Sequence, residues 1–388
     1  MKVGRSSQYT VQVSTSWEAA RAEWVAAYAA GFATPFQHGA VLDAWFAAMR
    51  SRPEIEPLVV TVRDRASHTH ALSLALVRTT TGTRRTIGFA DLGLIDYNAP
   101  ILGPAAPQDA EGAERLWRTL RRALPRADLI EFTKMPTEIA GRTNPFARLG
   151  ALPCALNGNL VRTGDDWPTY HASLKRPVRK ELQRSWRVFE RHPGAAFTPV
   201  VEPTERRRVL AAIEEQQPLR MQSTGKRYSL DAPSAAAFYR NLVAGRPEES
   251  PVVFTALTCG DEVVAGLLAL HDRGEYIMVR ISNAEGAWAN ASPGRVIIDK
   301  SMEWLHGRGH RHFDFSIGNY DYKRRFGVEP VALIDLVQPI GLRGFSTSAR
   351  AHARHWLSQH PPAHAFVRRL LGRPDGSTAP KTVGSEAR

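Results

Sequence analysis

The chain has 388 residues, 43% of them hydrophobic, and a formal net charge of +13. This length exceeds what one hydrophobic core usually organises, and the apolar content excludes a largely disordered chain, so we expect two globular domains. No window approaches the roughly 20 apolar residues of a membrane span, and the first residues lack the apolar core of a signal peptide. We therefore expect a cytoplasmic protein without a transmembrane segment.

The net charge indicates the kind of binding partner, and the cysteines and histidines indicate whether a metal site is expected. A strongly basic chain favours an anionic partner, such as nucleic acid, a phosphate-rich cofactor or a membrane surface. A GC-rich genome, however, also raises the arginine content and so produces the same excess of positive charge. Cys154 and Cys259 lie in apolar surroundings without a partner at metal-ligand spacing, which fits buried thiols in a reducing compartment. The histidines near the C-terminus also lack a ligand spacing with an acid nearby, so no metal site is predicted.

The first half of the sequence predicts two helices followed by an antiparallel meander. Helical patterns cover residues 15–50, and β-branched or aromatic runs separated by turn residues follow at 57–64, 70–79 and 84–93. An amphipathic helix, GAERLWRTLRRAL, then leads into the strand DLIEFTKM.

The second half repeats this order of elements. The strands in PVVFTALTCGDEVVAGLLALHDRGEYIMVRISNA, the helix SPGRVIIDKSMEWLHGRG and the strand RHFDFSIG each lie roughly 190 residues after a counterpart in the first half. We interpret this long-range repetition as a duplicated domain.

A single helix predicted at 167–192, between the halves, carries an apolar stripe and a basic one. The basic side chains recur at i, i+4, i+8, i+11 and i+15, as Arg176, Lys180, Arg184, Arg187 and Arg191. Such a stripe is usually a solvated face, but here almost no Glu lies four residues away to balance it. The stripe is therefore either solvated surface or a surface that faces an anion.

Two motifs in the second half suggest chemistry. The helix that begins ASPGRVIID offers Ser292 as its N-cap, proline at its first position and Gly294, which leaves the backbone N–H groups approachable. With Arg295 close by, this helix end predicts an anion site for a pyrophosphate, although similar residues also cap helices that bind nothing. The second motif, DFSIGNYDYKRRFG at 314–327, follows a predicted buried strand and is either a catalytic loop or a charged turn.

On these residues the chain resembles the GNAT acyltransferase superfamily, and within it the CelD-like proteins related to the FemAB peptidyltransferases. The resemblance covers residues 15–345 and is carried by WPTYHASLKRPVRKELQR, SPGRVIIDKSMEWLHGRGHRHFDFSIGNYDYKRRFG, TPFQHGAVLDAW and LIDYNAPIL. It implies an α/β (α+β) fold of two tandem GNAT-like domains, each a mixed, mostly antiparallel sheet flanked by helices. It also implies acetyl-CoA or another acyl-CoA as co-substrate, and no metal.

Acyl transfer from a thioester needs a donor to the carbonyl oxygen and an acid for the departing thiolate. Tyr320 and Tyr322 suit the acid, because a phenol with an ordinary pKa of about 10 stays protonated beside a thiol of about 8.5. Lys323 suits oxyanion stabilisation or phosphate binding, a role that the resemblance also implies. The three-residue basic run that begins at Lys323 opposes the dipole of the helix predicted there unless an anion compensates it, which favours a functional role for Lys323. Arg325, in the same run, is a further candidate for binding the cofactor. The alternative is a structural loop in which Asp314 pairs with Arg324 or Arg325, and Tyr322 and Phe326 are core anchors of the next helix.

Candidates for binding the acceptor come from both halves. Arg220 and Tyr228 lie in a polar segment that suits an acceptor wall, and Asp314 lies at the end of the last predicted strand. The first half has no Tyr-Lys pair after its equivalent strand. If the halves are duplicates, the first domain shapes the acceptor site, with Tyr97 between Asp96 and Asn98 as a polar candidate, or these three residues form an ordinary loop.

The chain also departs from the family pattern. It lacks the phosphate loop of typical GNAT enzymes, and it has Gln217 where members of the branch often carry a histidine in His-x-x-Arg-Trp, while the arginine is kept as Arg220. Without that histidine, the enzyme uses another base or an amine that is already deprotonated.

These observations predict four segments and one leading activity. The segments are a degenerate GNAT-like domain at 10–155, a GNAT acyltransferase domain at 156–345, a helical segment at 346–371 and a disordered tail at 372–388. The leading activity is acyl-CoA-dependent N-acylation of an amine on a sugar, amino acid or peptide-like precursor, as in polysaccharide or envelope biosynthesis. The alternatives are FemAB-like transfer from aminoacyl-tRNA, the one case that involves nucleic acid, and a non-catalytic scaffold in exopolysaccharide assembly. Peripheral membrane contact stays open.

Overall fold

The computed structural model describes residues 8–223, 230, 232–245, 249–318 and 320–359. The chain forms two compact units: one comprises the chain up to Leu42, Met49–Asn157 and the segment from Ala332, and the other comprises Asp43–Ala48 and Gly158–Val331. Each unit contains one large mixed sheet flanked by helices, so the predicted fold class is confirmed.

The first unit is built on a sheet in the order β1-β2-β3-β4-β6-β17-β9, with β5 paired to β3. All neighbours are antiparallel except β4 and β6, which are joined by the helix α3. Its elements up to residue 153 are β1 (Tyr9–Ser14), α1 (Trp17–Ala30), α2 (Gly39–Met49), β2 (Ile55–Asp64), β3 (His70–Thr81), β4 (Arg84–Phe89), β5 (Ile101–Leu102), α3 (Ala110–Ala123), β6 (Leu129–Pro136), β7 (Glu138–Ile139), β8 (Arg142–Thr143) and β9 (Leu152–Pro153).

Helix α3 shows how local sequence sets these elements. Asp109 caps it by accepting the N–H of Gly112 at 2.6 Å, an acid lies in its first turn, and Arg121 and Arg122 lie in its last turn, so all these charges suit the helix dipole. Its apolar face, which includes Leu116 and Leu120, is buried in the core of the first unit.

The second unit repeats this plan with the sheet order β11-β12-β13-β14-β15-β10-β16. Again one pair is parallel, β14 and β15, and again a helix, α8, connects the two strands. The elements are β10 (Gly158–Arg162), α4 (Trp167–Ser173), α5 (Arg176–Glu190), β11 (Ala195–Val200), α6 (Pro203–Ser223), α7 (Pro233–Ala244), β12 (Val252–Cys259), β13 (Glu262–Asp272), β14 (Glu275–Asn283), α8 (Pro293–His306), β15 (His312–Asp314), α9 (Asp321–Arg324) and β16 (Glu329–Val331).

The last strand and helix of the described chain return to the first unit. Strand β17 (Leu333–Pro339) pairs with both β6 and β9, and helix α10 (Leu342–Gln359) follows it. The predicted second domain, 156–345, therefore ends earlier, at Val331, because the next strand completes the first sheet. The helical segment predicted at 346–371 also begins earlier, at Leu342. Its residues from 360 onward lie outside the described residues, and so does the predicted tail at 372–388.

The single helix predicted at 167–192 is two helices, α4 and α5, that meet at Leu174 and Lys175. Pro177 lies in the first turn of α5, where it needs no hydrogen-bond donor, but a continuous helix would require its missing N–H. Cys154 and Cys259 are free and half-buried rather than fully buried. Within the part of the chain that the structure describes, no helix has the length and apolar character to cross a membrane.

We expect Leu336→Ala in β17 to destabilise the first unit selectively. Leu336 is 2% exposed in the first core, so its truncation should cost about 2–5 kcal/mol. Hydrogen exchange should show faster exchange in β3, β4 and β6. Leu267→Ala in the second core is the control and should instead affect β12 to β14. Loss of protection in β12 to β14 after Leu336→Ala would contradict the assignment of β17.

Candidate active site

The parallel strands of the second sheet separate after two residue pairs. Strand β14 pairs with β13 along its length, but it pairs with β15 only at Tyr276 with Phe313 and at Ile277 with Asp314. Among the described strands, none pairs with the edge of β14 beyond Ile277, because β15 ends at Asp314. A bulge that leaves Val279 without a partner on β13 lies at the start of this open edge. Such an edge presents backbone donors and acceptors, and bulges are common beside active sites.

The first unit has no comparable opening among its described strands. There β4 and β6 pair at three positions, Thr86, Ile87 and Gly88, and β4 ends one residue later at Phe89. The two sheets share a plan, but the extended open edge belongs to the second.

The loop that follows β15 has an unusual backbone. Ser316 has a φ of 60° and Gly318 a φ of 102°, both in the left-handed region. Asp314 supports the first of these by accepting the N–H of Ser316 at 2.6 Å, a turn typical of aspartate. A Cβ at Gly318 would lie 2.8 Å from the ring of Tyr320, so glycine is needed both for the backbone angle and for the position of the tyrosine.

Two buried side chains hold the carbonyl groups of this loop. The amide of Asn159, in β10, donates to Ser316 O at 2.7 Å and to Gly318 O at 3.0 Å. The ammonium of Lys323 donates to Ile317 O at 2.6 Å and to Ser316 O at 3.2 Å. Lys323 is only 3% exposed. Its ammonium therefore binds the backbone of the loop, and we call Asn159, Lys323 and the three carbonyl groups the loop clamp.

Tyr320 and Tyr322 are brought together beside this clamp. Their rings are stacked with centroids 6.0 Å apart, and the Lys323 ammonium lies 5.4 Å from the centroid of Tyr320. Tyr320 is 50% exposed, whereas Tyr322 is half-buried and packs against the second core. Of the two phenols, Tyr320 is therefore the one more accessible to a substrate.

Helix α9, which follows Tyr320 and contains Tyr322, is held in place at its C-terminal end. Tyr170 of α4 donates its hydroxyl to Phe326 O at 3.0 Å, and burial raises the pKa of Tyr170, so the donor stays protonated. Phe326 is 1% exposed and packs against Phe315, which confirms its predicted core position. The short helix is therefore held to α4 and to the core.

The four predicted phosphate-binding residues lie around the first turn of α8, with an unforeseen carboxylate. Glu181 of α5 pairs with Arg295 at 2.6 Å and with Arg325 at 2.8 Å, and Arg295 also donates to Ser292 Oγ at 2.8 Å. Ser292 has a left-handed backbone and makes no side-chain cap. A Cβ at Gly294 would lie 2.6 Å from Asn283 Oδ1, so this glycine allows the close approach of β14 to α8.

The charges at this helix end are only partly neutralised. Two guanidinium groups face one carboxylate, which leaves an excess of one positive charge beside the positive end of the helix dipole. Burial lowers the pKa of Arg295, and Glu181 opposes that shift. The group fits an anion if that anion shares the arginines with Glu181.

A polar cluster on β14 was not predicted. Arg280 is 3% exposed, donates through Nε to Gln217 Oε1 at 2.9 Å and lies 4.4 Å from the ring centroid of Tyr239. Gln217 also donates to Ile281 O at 3.0 Å. Gln217, which stands where members of the family branch often carry a histidine, thus links α6 to the open part of β14.

The predicted acceptor residues are not all brought to this site. The backbone of Arg220 lies in α6, one turn after Gln217, but its side chain is outside the described residues, as is all of Tyr228. Tyr97 belongs to the first unit, where it is 3% exposed and packs edge to face on Phe36. It is a core residue of that unit.

A cavity of about 520 Å³ opens along α6 beside the end of β14. Its ionisable lining residues are mostly acidic: Glu215, Asp261, Glu262, Glu285 and, as the only base, Arg208. In a chain with a net charge of +13, this cavity favours a cationic ligand over a phosphate.

A second groove, of about 470 Å³, lies between α4, α5 and α8. At its base His171 Nε2 lies 3.6 Å from Asp299 Oδ1, and the Asp299 carboxylate raises the pKa of His171. No group of three or more potential metal ligands occurs in the described segments of the chain.

The comparisons with known proteins agree with this geometry. The family model of the GNAT acetyltransferase domain matches residues 176–324, which contain the open edge of β14, the start of α8 and the loop clamp apart from Asn159. This segment of the chain is similar to the GNAT acetyltransferase domain. No curated protein matches the chain.

Two solved structures with TM-scores above 0.5 share the fold of more than four fifths of the chain. FemX is 8% identical with a TM-score of 0.56, over 82% of this chain and 96% of FemX. A conserved protein of unknown function from Bacteroides thetaiotaomicron is 9% identical with a TM-score of 0.52, over 84% and 99% of the two chains. A tandem GNAT protein from the clavulanic acid biosynthesis pathway is 11% identical with a TM-score of 0.45, over 86% and 99%. The FemX-like fold spans both units.

We expect Asn159→Ala to loosen the loop clamp. The carbonyl groups of Ser316 and Gly318 would each lose one donor, at a cost of about 1–3 kcal/mol, and residues 314–327 should exchange amide hydrogens faster. Lys323→Met should act on the same loop, so the double variant should be less destabilised than the sum of the single variants. Asn98→Ala, which removes a buried amide from the first unit, is the control. Additive costs would show that Asn159 and Lys323 do not act together.

We expect His171 to titrate above its ordinary pKa of about 6.5. Asp299→Asn should lower that pKa, because burial alone disfavours the charged ring. A raised folded pKa stabilises the fold at pH values below the unfolded pKa, and this contribution is lost as pH rises through the folded value. NMR titration measures the pKa, with His310, whose pKa is lowered by burial, as the unchanged control. An unchanged pKa of His171 in the Asp299→Asn variant would show that Asp299 does not raise it.

Proposed function

We propose that the second unit transfers an acetyl or acyl group from acyl-CoA to an amine of a sugar, amino acid or peptide-like precursor. The observation that carries this proposal is the open edge of β14 next to the loop that presents Tyr320. Backbone groups on such an edge suit the amide groups of an extended pantetheine arm and the carbonyl of a thioester.

The start of α8 supports a donor with phosphate groups. A pyrophosphate there would interact with Arg295 and Arg325 and with the positive end of the helix dipole. Glu181 holds both guanidinium groups in place, so the phosphate groups would join an existing network.

Tyr320 is proposed as the acid of the reaction. As the amine nitrogen forms a bond to the thioester carbon, the C–S bond breaks and the Tyr320 hydroxyl donates its proton to the departing sulfur. Lys323 is proposed to act through the loop clamp and through its charge near the Tyr320 ring, since its ammonium is buried against backbone carbonyls. The tyrosinate recovers a proton from solvent or from the acylated amine.

The acceptor is proposed to approach from the side of α6. The acidic cavity beside the end of β14 favours an amine-bearing ligand, which is cationic in solution. Gln217 has no ionisable group to act as a base, so the amine must enter the reaction deprotonated or lose its proton elsewhere. We place the enzyme in the cytoplasm, with its two free cysteines in support.

We expect Tyr320→Phe to lower kcat about 10²- to 10⁴-fold, because the departing thiolate loses its proton donor. The KM for acyl-CoA should change little, since the ring remains. The assay follows free thiol released from acetyl-CoA with a panel of amines, preceded by native mass spectrometry of ligands that co-purify.

Tyr322→Phe is the matched control, because it removes the same hydroxyl from the half-buried neighbour, and its kcat should stay within about threefold of the unmodified enzyme. A large loss in Tyr322→Phe instead would reassign the acid. Turnover that requires aminoacyl-tRNA and does not occur with acyl-CoA would contradict acyl-CoA as the proposed donor.

A further inference from the structure

Helix α5 presents a row of basic side chains, which we call the α5 row. All five side chains are exposed, and none forms an ion pair within the described residues: Arg176, Lys180, Arg184, Arg187 and Arg191, the last directly after the helix. The opposite face of the helix, with Leu182 and Phe189, is buried in the second core. At 1.5 Å of rise per residue, the row is about 22 Å long and straight.

The two acidic residues of α5 do not neutralise this row. Glu181 is bound to Arg295 and Arg325, at 2.6 and 2.8 Å. Glu190 is exposed and makes no ion pair with the described residues. The row therefore keeps its full positive charge.

The charge pattern also opposes the stability of the helix. The first turn of α5 has no acidic residue and no side-chain cap, yet Lys175, Arg176 and Lys180 lie at or near this positive end of the dipole. Successive cations four residues apart repel one another. Helix α3, in contrast, has an acid in its first turn. Arg187 lies in the last turn of α5, where the dipole favours a cation, but folding does not explain the basic residues at the start of the helix, and an anionic partner does.

We propose that the α5 row docks the protein reversibly on a membrane surface that contains anionic phospholipids. Each basic residue near such a surface strengthens binding about fivefold, so five residues give measurable but reversible association. Salt weakens this association, because at moderate ionic strength charges are screened over a distance of about 10 Å. The straight row matches the plane of lipid phosphates.

The aromatic residues of α5 argue against single-stranded RNA as the partner. Recognition of RNA bases uses exposed aromatic rings for stacking. Phe189 is fully buried, and the ring of Trp186 is covered by the ammonium of Lys300, 4.5 Å from its centroid. The α5 row thus offers charge without a stacking surface.

The test is sedimentation of the full chain with vesicles of phosphatidylcholine alone or with about 30% phosphatidylglycerol. We expect binding only to the anionic vesicles and a decline as salt rises. The variant Arg184→Gln with Arg187→Gln should bind about 25-fold more weakly, at about fivefold per removed charge.

The matched control is Arg121→Gln with Arg122→Gln, which removes two exposed charges from α3. It should bind within about twofold of the unmodified protein, and thermal unfolding should show both double variants folded. Equal weakening in both variants would mean that net charge alone drives binding and would overturn the proposal. Binding to both kinds of vesicle, to neither, or to bulk tRNA at concentrations that leave anionic vesicles unbound would also overturn it.

Discussion

Two buried donors, the amide of Asn159 and the ammonium of Lys323, hold three consecutive carbonyl groups of the loop after β15. Without them, these carbonyl groups would lose the side-chain donors that hold the loop in its left-handed conformation. The position of Tyr320 depends on this arrangement, because its ring lies against Gly318. Asn159 in β10 and Lys323 after β15 thus jointly hold the loop that presents Tyr320.

The two units share one sheet plan, but only the second has the open edge and the loop clamp on which the proposed site depends. Both sheets contain a single parallel pair joined by a helix, but β14 continues past its partner whereas β4 ends almost with it. After β6 the first unit forms the short hairpin of β7 and β8, and no tyrosine or lysine occupies the place of Tyr320 and Lys323. Strand length and loop chemistry, not topology, separate the copies.

The sequence predicted the repeated order of strands and helices because hydrophobic periodicity and turn residues are local signals. It also located the loop after β15, the start of α8 and the core position of Phe326. It did not predict that Lys323 would be buried, because that depends on carbonyl groups turned inward by Ser316 and Gly318. Glu181, Asn159 and Gln217 were missed because their partners lie far away in the sequence; a single acid within a basic helix was the one available hint for Glu181. Strand β17 was assigned to the wrong unit because the sequence of a strand does not show which other strand it pairs with.

The pairing of β17 with β6 and β9 also affects how the protein is made. The ribosome synthesises β6 and β9 before the whole second unit, and β17 only after it. The nascent first sheet therefore keeps two unpaired strand edges while some 180 residues are translated, roughly ten seconds or more at bacterial or eukaryotic rates. A chain cut at either boundary of the second unit would lose the covalent link between β17 and its partners β6 and β9, so the first sheet can be completed within one chain only after the second unit has been translated.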